Sequence, residues 1–151
     1  MKEQVFYMQE ALREAKKAVQ LGEVPIGCVV VYQGKIIGRG HNLRETTAQA
    51  EKHAEMIAIS QANDALQSWR LPEAELYVTL EPCPMCSGAI INSRIAKVYY
   101  GAPDEKAGTA GTLMNLLTDP RFNHCVQVEK GLLRTECSQI LSDFFAKLRK
   151  K

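Results

Sequence analysis

Val5, Met8, Leu12, Ala15 and Val19 recur every three or four positions through an otherwise charged stretch. That period predicts an amphipathic helix over residues 2–20, stopped by Gly22. The pattern then changes. "IGCVVVY" and "KIIGRG" are dense in β-branched residues and meet through Gln33 and Gly34, which predicts a β-hairpin. After the polar loop "RETTAQAEK", residues 53–66 read as a second helix and "ELYVTL", residues 75–80, as a strand. Pro84 suits the first position of a helix, where no amide hydrogen is needed, so "PMCSGAIINSR" should be helical. "KVYYGA" predicts a fourth strand, "GTLMNLLTD" a helix, "HCVQVEK" a fifth strand, and residues 135–150 a closing helix.

Strands that alternate with helices imply an α/β layered domain with helices on both faces of the sheet. The 151 residues suit one domain, with neither linker nor internal repeat in view. The longest wholly apolar run, "CVVVY", is far too short to span a membrane, and the N-terminal segment is charged throughout. Five cysteines, two of them three positions apart, argue against a secreted disulfide framework and for metal or redox chemistry. The expected setting is therefore the cytoplasm, with Cys28, Cys125 and Cys137 as core thiols.

A formal net charge of +2 does not by itself declare a polyanionic partner. The end of the chain says more: "FFAKLRKK" sets Lys147, Arg149, Lys150 and Lys151 beside Phe144 and Phe145. Aromatic rings among cations suit single-stranded nucleic acid, and the same cations suit the C-terminal end of a helix.

Two short motifs carry the chemistry, "HAEM" from His53 and "EPCPMC" from Glu81. Cys83 and Cys86 stand at i and i+3, neighbours on one helical face, and a helix start favours the thiolate that binds metal. His53 and Glu55 are two apart, which would point them to opposite sides of a regular helix. With His53 at the helix start, its imidazole can reach forward while Glu55 flanks the same point. His53, Cys83 and Cys86 then make three ligands of a tetrahedral zinc whose fourth corner is open to water, the pattern of a catalytic site. Glu55, outside the coordination shell, is placed to carry a proton from that water. Three plainer readings stand beside this one. The zinc is structural, with Cys28, His124 or Cys125 as a fourth ligand; the C-P-x-C pair is a redox dithiol; or His53 and Glu55 merely suit a helix start.

H-x-E followed by P-C-x-x-C is the signature of zinc-dependent nucleobase deaminases. The chain resembles the bacterial tRNA-specific adenosine deaminases within the cytidine deaminase-like superfamily. The likeness extends through "GEVPIGCVVV", "GHN", "SWRL", "LYVTLEPC", "YGAPDEKAGTAGTLMNLL", "FNH" and "FF". It implies a three-layer α/β/α cytidine deaminase-like fold with a central five-stranded mixed sheet. It also implies one Zn2+ per subunit, a homodimer, and a tRNA anticodon loop as partner, with the wobble adenosine converted to inosine by attack at C6. Glu55 would pass a proton to the ring nitrogen and then to the departing ammonia. The resemblance further assigns Asn42 to the target nucleotide, the Ala54 backbone to the base pocket, and Asp104, Lys106 and Asn123 to the anticodon loop. Pro84 stands where tRNA deaminases usually carry a small aliphatic residue and where guanine and cytosine deaminases often carry proline. "AQAEKHAE" likewise replaces the common P-T-x-H-A-E. The alternative is thus a guanine or cytosine deaminase acting on a free base.

Overall fold

A computed structural model of the chain describes residues 2–150, and Lys151 of the basic end lies outside the described residues. The first helix, α1, runs Lys2–Gln20 and turns Met8, Ala11, Ala15 and Ala18 inward. Strands β1 (Gly27–Tyr32) and β2 (Lys35–His41) form the expected hairpin, with Gln33 and Gly34 both at positive φ. Two such residues in succession give a turn whose twist matches the strands it joins. The remaining elements are α2 (Arg44–Thr47), α3 (Ala54–Leu66), β3 (Glu75–Leu80), α4 (Pro84–Asn92), β4 (Lys97–Ala102), β5 (Gln127–Lys130) and α5 (Arg134–Arg149).

The five strands form one mixed sheet in the order β2-β1-β3-β4-β5. β1 pairs antiparallel with β2 and β3, while β3, β4 and β5 run parallel. Alternation along the strands serves two cores, as the period of two requires. Cys28, Val30, Leu76, Val78, Val98 and Tyr100 pack with Ala54, Ala58, Ala62 and Ile90 of α3 and α4. Val29, Val31, Tyr77 and Tyr99 face the other way, toward Met8, Ala11 and Cys137 of α1 and α5. The three-layer, five-stranded mixed arrangement expected from the sequence is the one found.

Helix α3 sits unusually close to β2. A Cβ at Gly38 would collide with the Ala58 carbonyl oxygen, and one at Gly40 with that of Ala54. Alanines at 54, 58 and 62 supply the matching small face. Gly40→Ala should therefore lower stability by about 1–3 kcal/mol, the usual cost of forcing a methyl into a packed interface. Urea unfolding measures it, and an unchanged midpoint would show that α3 can lift away freely.

Three expectations need correction. "GTLMNLLTD" is not helical: Gly111 takes φ 129°, and Ala110 and Asn115 form an isolated bridge. The Gly111 amide donates forward to the Met114 carbonyl and the Leu116 amide back to that of Thr109, neither of them the four-residue step of a helix, while Glu81 holds the amides of Ala110 and Thr112. Cys125 is exposed rather than a core thiol, since Val126 beside it takes the inward position; Cys28 and Cys137 are buried as expected. The one-turn helix α2 interrupts the segment read as a loop. Its first amides, of Glu45 and Thr46, donate to the buried carboxylate of Glu23.

Candidate active site

His53 and Cys83 occupy equivalent places, each the residue just before a helix, with extended backbone (φ −81°, ψ 156° and φ −79°, ψ 175°). Neither side chain caps its helix. Both are thereby free to project beyond the helix end, where a capping serine or aspartate would ordinarily fold back. Pro84 follows Cys83 at the first helical position, and Cys86 lies one turn along α4 with its side chain buried.

The ligand atoms of His53, Cys83 and Cys86 all lie within 4.8 Å of one another. His53 Nδ1 is 3.6 Å from each sulfur. A tetrahedral zinc with Zn–S of about 2.3 Å and Zn–N of about 2.0–2.1 Å sets neighbouring N and S corners about 3.6 Å apart. The donor set thus fits such an ion in type and in spacing. The Cys83 thiol is pushed down to about 4, chiefly by a hydrogen bond from Cys86 and also by His53, against the opposing effect of burial. Cys86, the donor of that pair, is pushed up by the same bond and by burial. Among the described residues no fourth His, Cys, Asp or Glu joins the group. Cys28 is buried in the core, Cys125 lies against the Asp119 carbonyl, and His124 against that of Ile95. The fourth-ligand alternative thus finds no donor there.

Glu55 is 4% exposed on the first turn of α3. It lines the same pocket as His53 and Cys83, a cavity of about 560 Å³. Burial pushes its carboxyl up to about 7. Because His53 precedes the helix, the two-residue spacing sets both side chains toward one cavity.

Of the other residues singled out by sequence, Asn42, Asp104 and Lys106 line this pocket. Asn42 is buried; its Oδ1 accepts the Arg44 amide at 3.1 Å and its Nδ2 donates to the Val24 carbonyl at 3.4 Å. Ala54 is fully buried between α3 and the sheet. Asn123 is exposed and stands outside the pocket. Phe145 of the aromatic pair lines it from α5, with Phe144 edge-on to it at 5.4 Å between ring centroids. Pro84 is exposed and does not line the pocket.

Two residues escaped the sequence reading. Arg44 brings a cation to the cavity from α2. Glu81, 2% exposed, accepts hydrogen bonds from the amides of Asp104, Ala110 and Thr112 and from the Thr112 hydroxyl. It thereby ties segment 104–112, one wall of the pocket, to the strand end that leads to Cys83. The available signal was a carboxylate directly after the apolar strand "LYVTL", where a buried charge requires several donors.

The family model of the MafB19-like deaminases matches residues 2–149. The chain is 57% identical to the tRNA-specific adenosine deaminase of Bacillus subtilis (strain 168), over 100% of the chain and 94% of that protein. The chain belongs to the tRNA-specific adenosine deaminases. It is also 42% identical to the chloroplastic tRNA(adenine(34)) deaminase of Arabidopsis thaliana, across 92% of the chain and 12% of that much longer protein. Among solved structures, one from a study of A-to-I editing by tRNA:A34 deaminases at the wobble position of transfer RNA superposes with a TM-score of 0.86. It shares 42% identity and covers 90% of this chain and 99% of its own. The guanine deaminase of Nitrosomonas europaea shares the fold at 24% identity and a TM-score of 0.80, over 93% and 83% of the two chains. Membership in the tRNA-specific adenosine deaminases accounts for HAE and PCxxC standing on two facing helix starts. No helix among the described residues is long and apolar enough to cross a membrane.

Proposed function

We propose that this chain, as a single domain over residues 1–151, hydrolytically deaminates adenosine to inosine at the wobble position of a tRNA anticodon, in the cytoplasm. One observation carries the reading. The His53, Cys83 and Cys86 donors meet at tetrahedral spacing beside a buried Glu55, in a chain 57% identical to a tRNA-specific adenosine deaminase. His53, Cys83 and Cys86 would hold one Zn2+ per subunit; when bound, the ion supplies the acidity that turns water into a nucleophile at neutral pH. The carboxylate of Glu55 takes the proton from that water, delivers it to the ring nitrogen of the base, and serves the departing ammonia in turn.

Asn42 retains one amide hydrogen and one lone pair beyond its two bonds, and these hold the target nucleotide. The Ala54 backbone lines the base, while Asp104 and Lys106 meet the anticodon loop. Zinc, RNA and a second copy of the chain are the proposed partners. Asn123, outside the pocket, is the third residue that the resemblance assigns to the anticodon loop. An anticodon loop is already single-stranded, so a base can turn out into the pocket at little unpairing cost.

The rival substrate is a free base, guanine or cytosine. Pro84, the residue difference that favours it, is exposed and does not line the cavity, which supports the tRNA reading. Purified protein given an adenosine-containing anticodon stem-loop should release ammonia and yield inosine, with free guanine and cytosine unchanged. Conversion of a free base alone would overturn the tRNA reading.

A further inference from the structure

A second cavity, of about 730 Å³, opens at the C-terminal ends of β4 and β5. Its lining contains Lys130 and Arg134 and no carboxylate. Neither cation forms an ion pair among the described residues, where other charged side chains form seven, from the Glu10 and Glu14 contacts of α1 to the Asp119–Arg121 pair. Tyr100 also lines the cavity, and its hydroxyl, which still meets solvent, makes no side-chain hydrogen bond among the described residues. A ligand oxygen that enters the cavity can take the place of the water that this hydroxyl otherwise bonds. Arg134 opens helix α5, whose preceding residue, Leu133, offers no side-chain cap. Two unpaired cations and an unpartnered hydroxyl around an acid-free cavity are the chemistry of a phosphate site.

Volume and position narrow the ligand. The cavity exceeds what a bare phosphate fills and falls in the range of nucleotide-sized sites. Pro103 lines both this cavity and the zinc pocket, and the Glu81-held segment runs between them. A strand with one base in the zinc pocket can therefore lay a neighbouring nucleotide across that wall.

We infer that the Lys130, Arg134 and Tyr100 cavity is a subsite for the phosphate of a nucleotide flanking the deaminated one. The assignment rests on the tRNA reading above, and the chemistry it names, a phosphate, is shared by RNA and by free phosphate. The test compares the zinc-loaded wild type with the double variant Lys130→Ala, Arg134→Ala and with Tyr100→Phe. A fluorescent anticodon stem-loop is titrated by anisotropy over a salt series, and inorganic phosphate by calorimetry. The double variant should bind the stem-loop about tenfold more weakly, with the salt slope shallower by about 1, as loss of one or two phosphate contacts predicts. Tyr100→Phe should weaken binding about threefold, the worth of one hydrogen bond, with the slope unchanged because no charge is lost. Equal affinity and equal slope in the double variant would overturn the assignment. So would phosphate binding that the double variant loses while its RNA slope stays the same, since the site would then serve the free anion. Ammonia release by the wild type is followed alongside: its absence sinks the tRNA reading, and its presence with unaltered RNA binding sinks only the subsite.

Discussion

Glu55→Ala should retain its zinc and lose nearly all turnover, with kcat falling by about 10²–10⁴, the span of general acid–base assistance. The side chain is 4% exposed and lines the zinc pocket without being one of the three clustered donors. Removing it therefore leaves the imidazole and both sulfurs in place, while the proton must find its way to the base through solvent. Metal analysis paired with ammonia release on the stem-loop separates the two contributions. A variant that holds zinc and turns over at the wild-type rate would show that Glu55 carries no proton, and a variant that loses zinc would make it a ligand.

Removal of the metal is the second large effect. Cys86→Ala, or exhaustive chelation of the wild type, should abolish deamination and lower the melting temperature without unfolding the chain. Small zinc domains draw about 10–16 kcal/mol from their ion and have no fold without it. Here two apolar clusters on either side of a five-stranded sheet are already buried independently of the site. The ion would instead join the starts of α3 and α4, so its loss should loosen that corner selectively. Hydrogen exchange should speed up at the first-turn amides of Ile57 and Ser87, which donate to the His53 and Cys83 carbonyls, while β1 and β3 stay protected. Turnover that survives chelation, with metal analysis reading zero, would refute a zinc mechanism.

Most of the framework was legible because its signals are local. The apolar periodicity of α1, the β-branched hairpin and the run "LYVTL" each describe their own burial, and the structure agrees with all three. The zinc site was legible for a different reason. Few arrangements use His, Glu and two cysteines at those spacings, and the chemistry constrains them more tightly than packing does. What could not be read depends on partners remote in sequence. Helix α2 begins on the Glu23 carboxylate, 22 residues before Glu45. The segment "GTLMNLLTD" has the residues of a helix, but Glu81 pins the amides of Ala110 and Thr112 on either side of Gly111, and the backbone closes a turn there from Gly111 to Met114 and from Leu116 to Thr109. A propensity argument sees neither carboxylate. Cys125 was assigned inward by composition, whereas burial at the entrance to the edge strand β5 is settled by which neighbour turns in.

Gly38 and Gly40 bring one further consequence. With no side chain between them and the carbonyls of α3, the helix rides at the lowest altitude a backbone allows above the strand. The height of His53 over the sheet is thus gauged by missing atoms. A motif search over HAE and PCxxC is blind to that gauge, yet any graft of the motif onto another scaffold must reproduce it before the imidazole can meet the sulfurs.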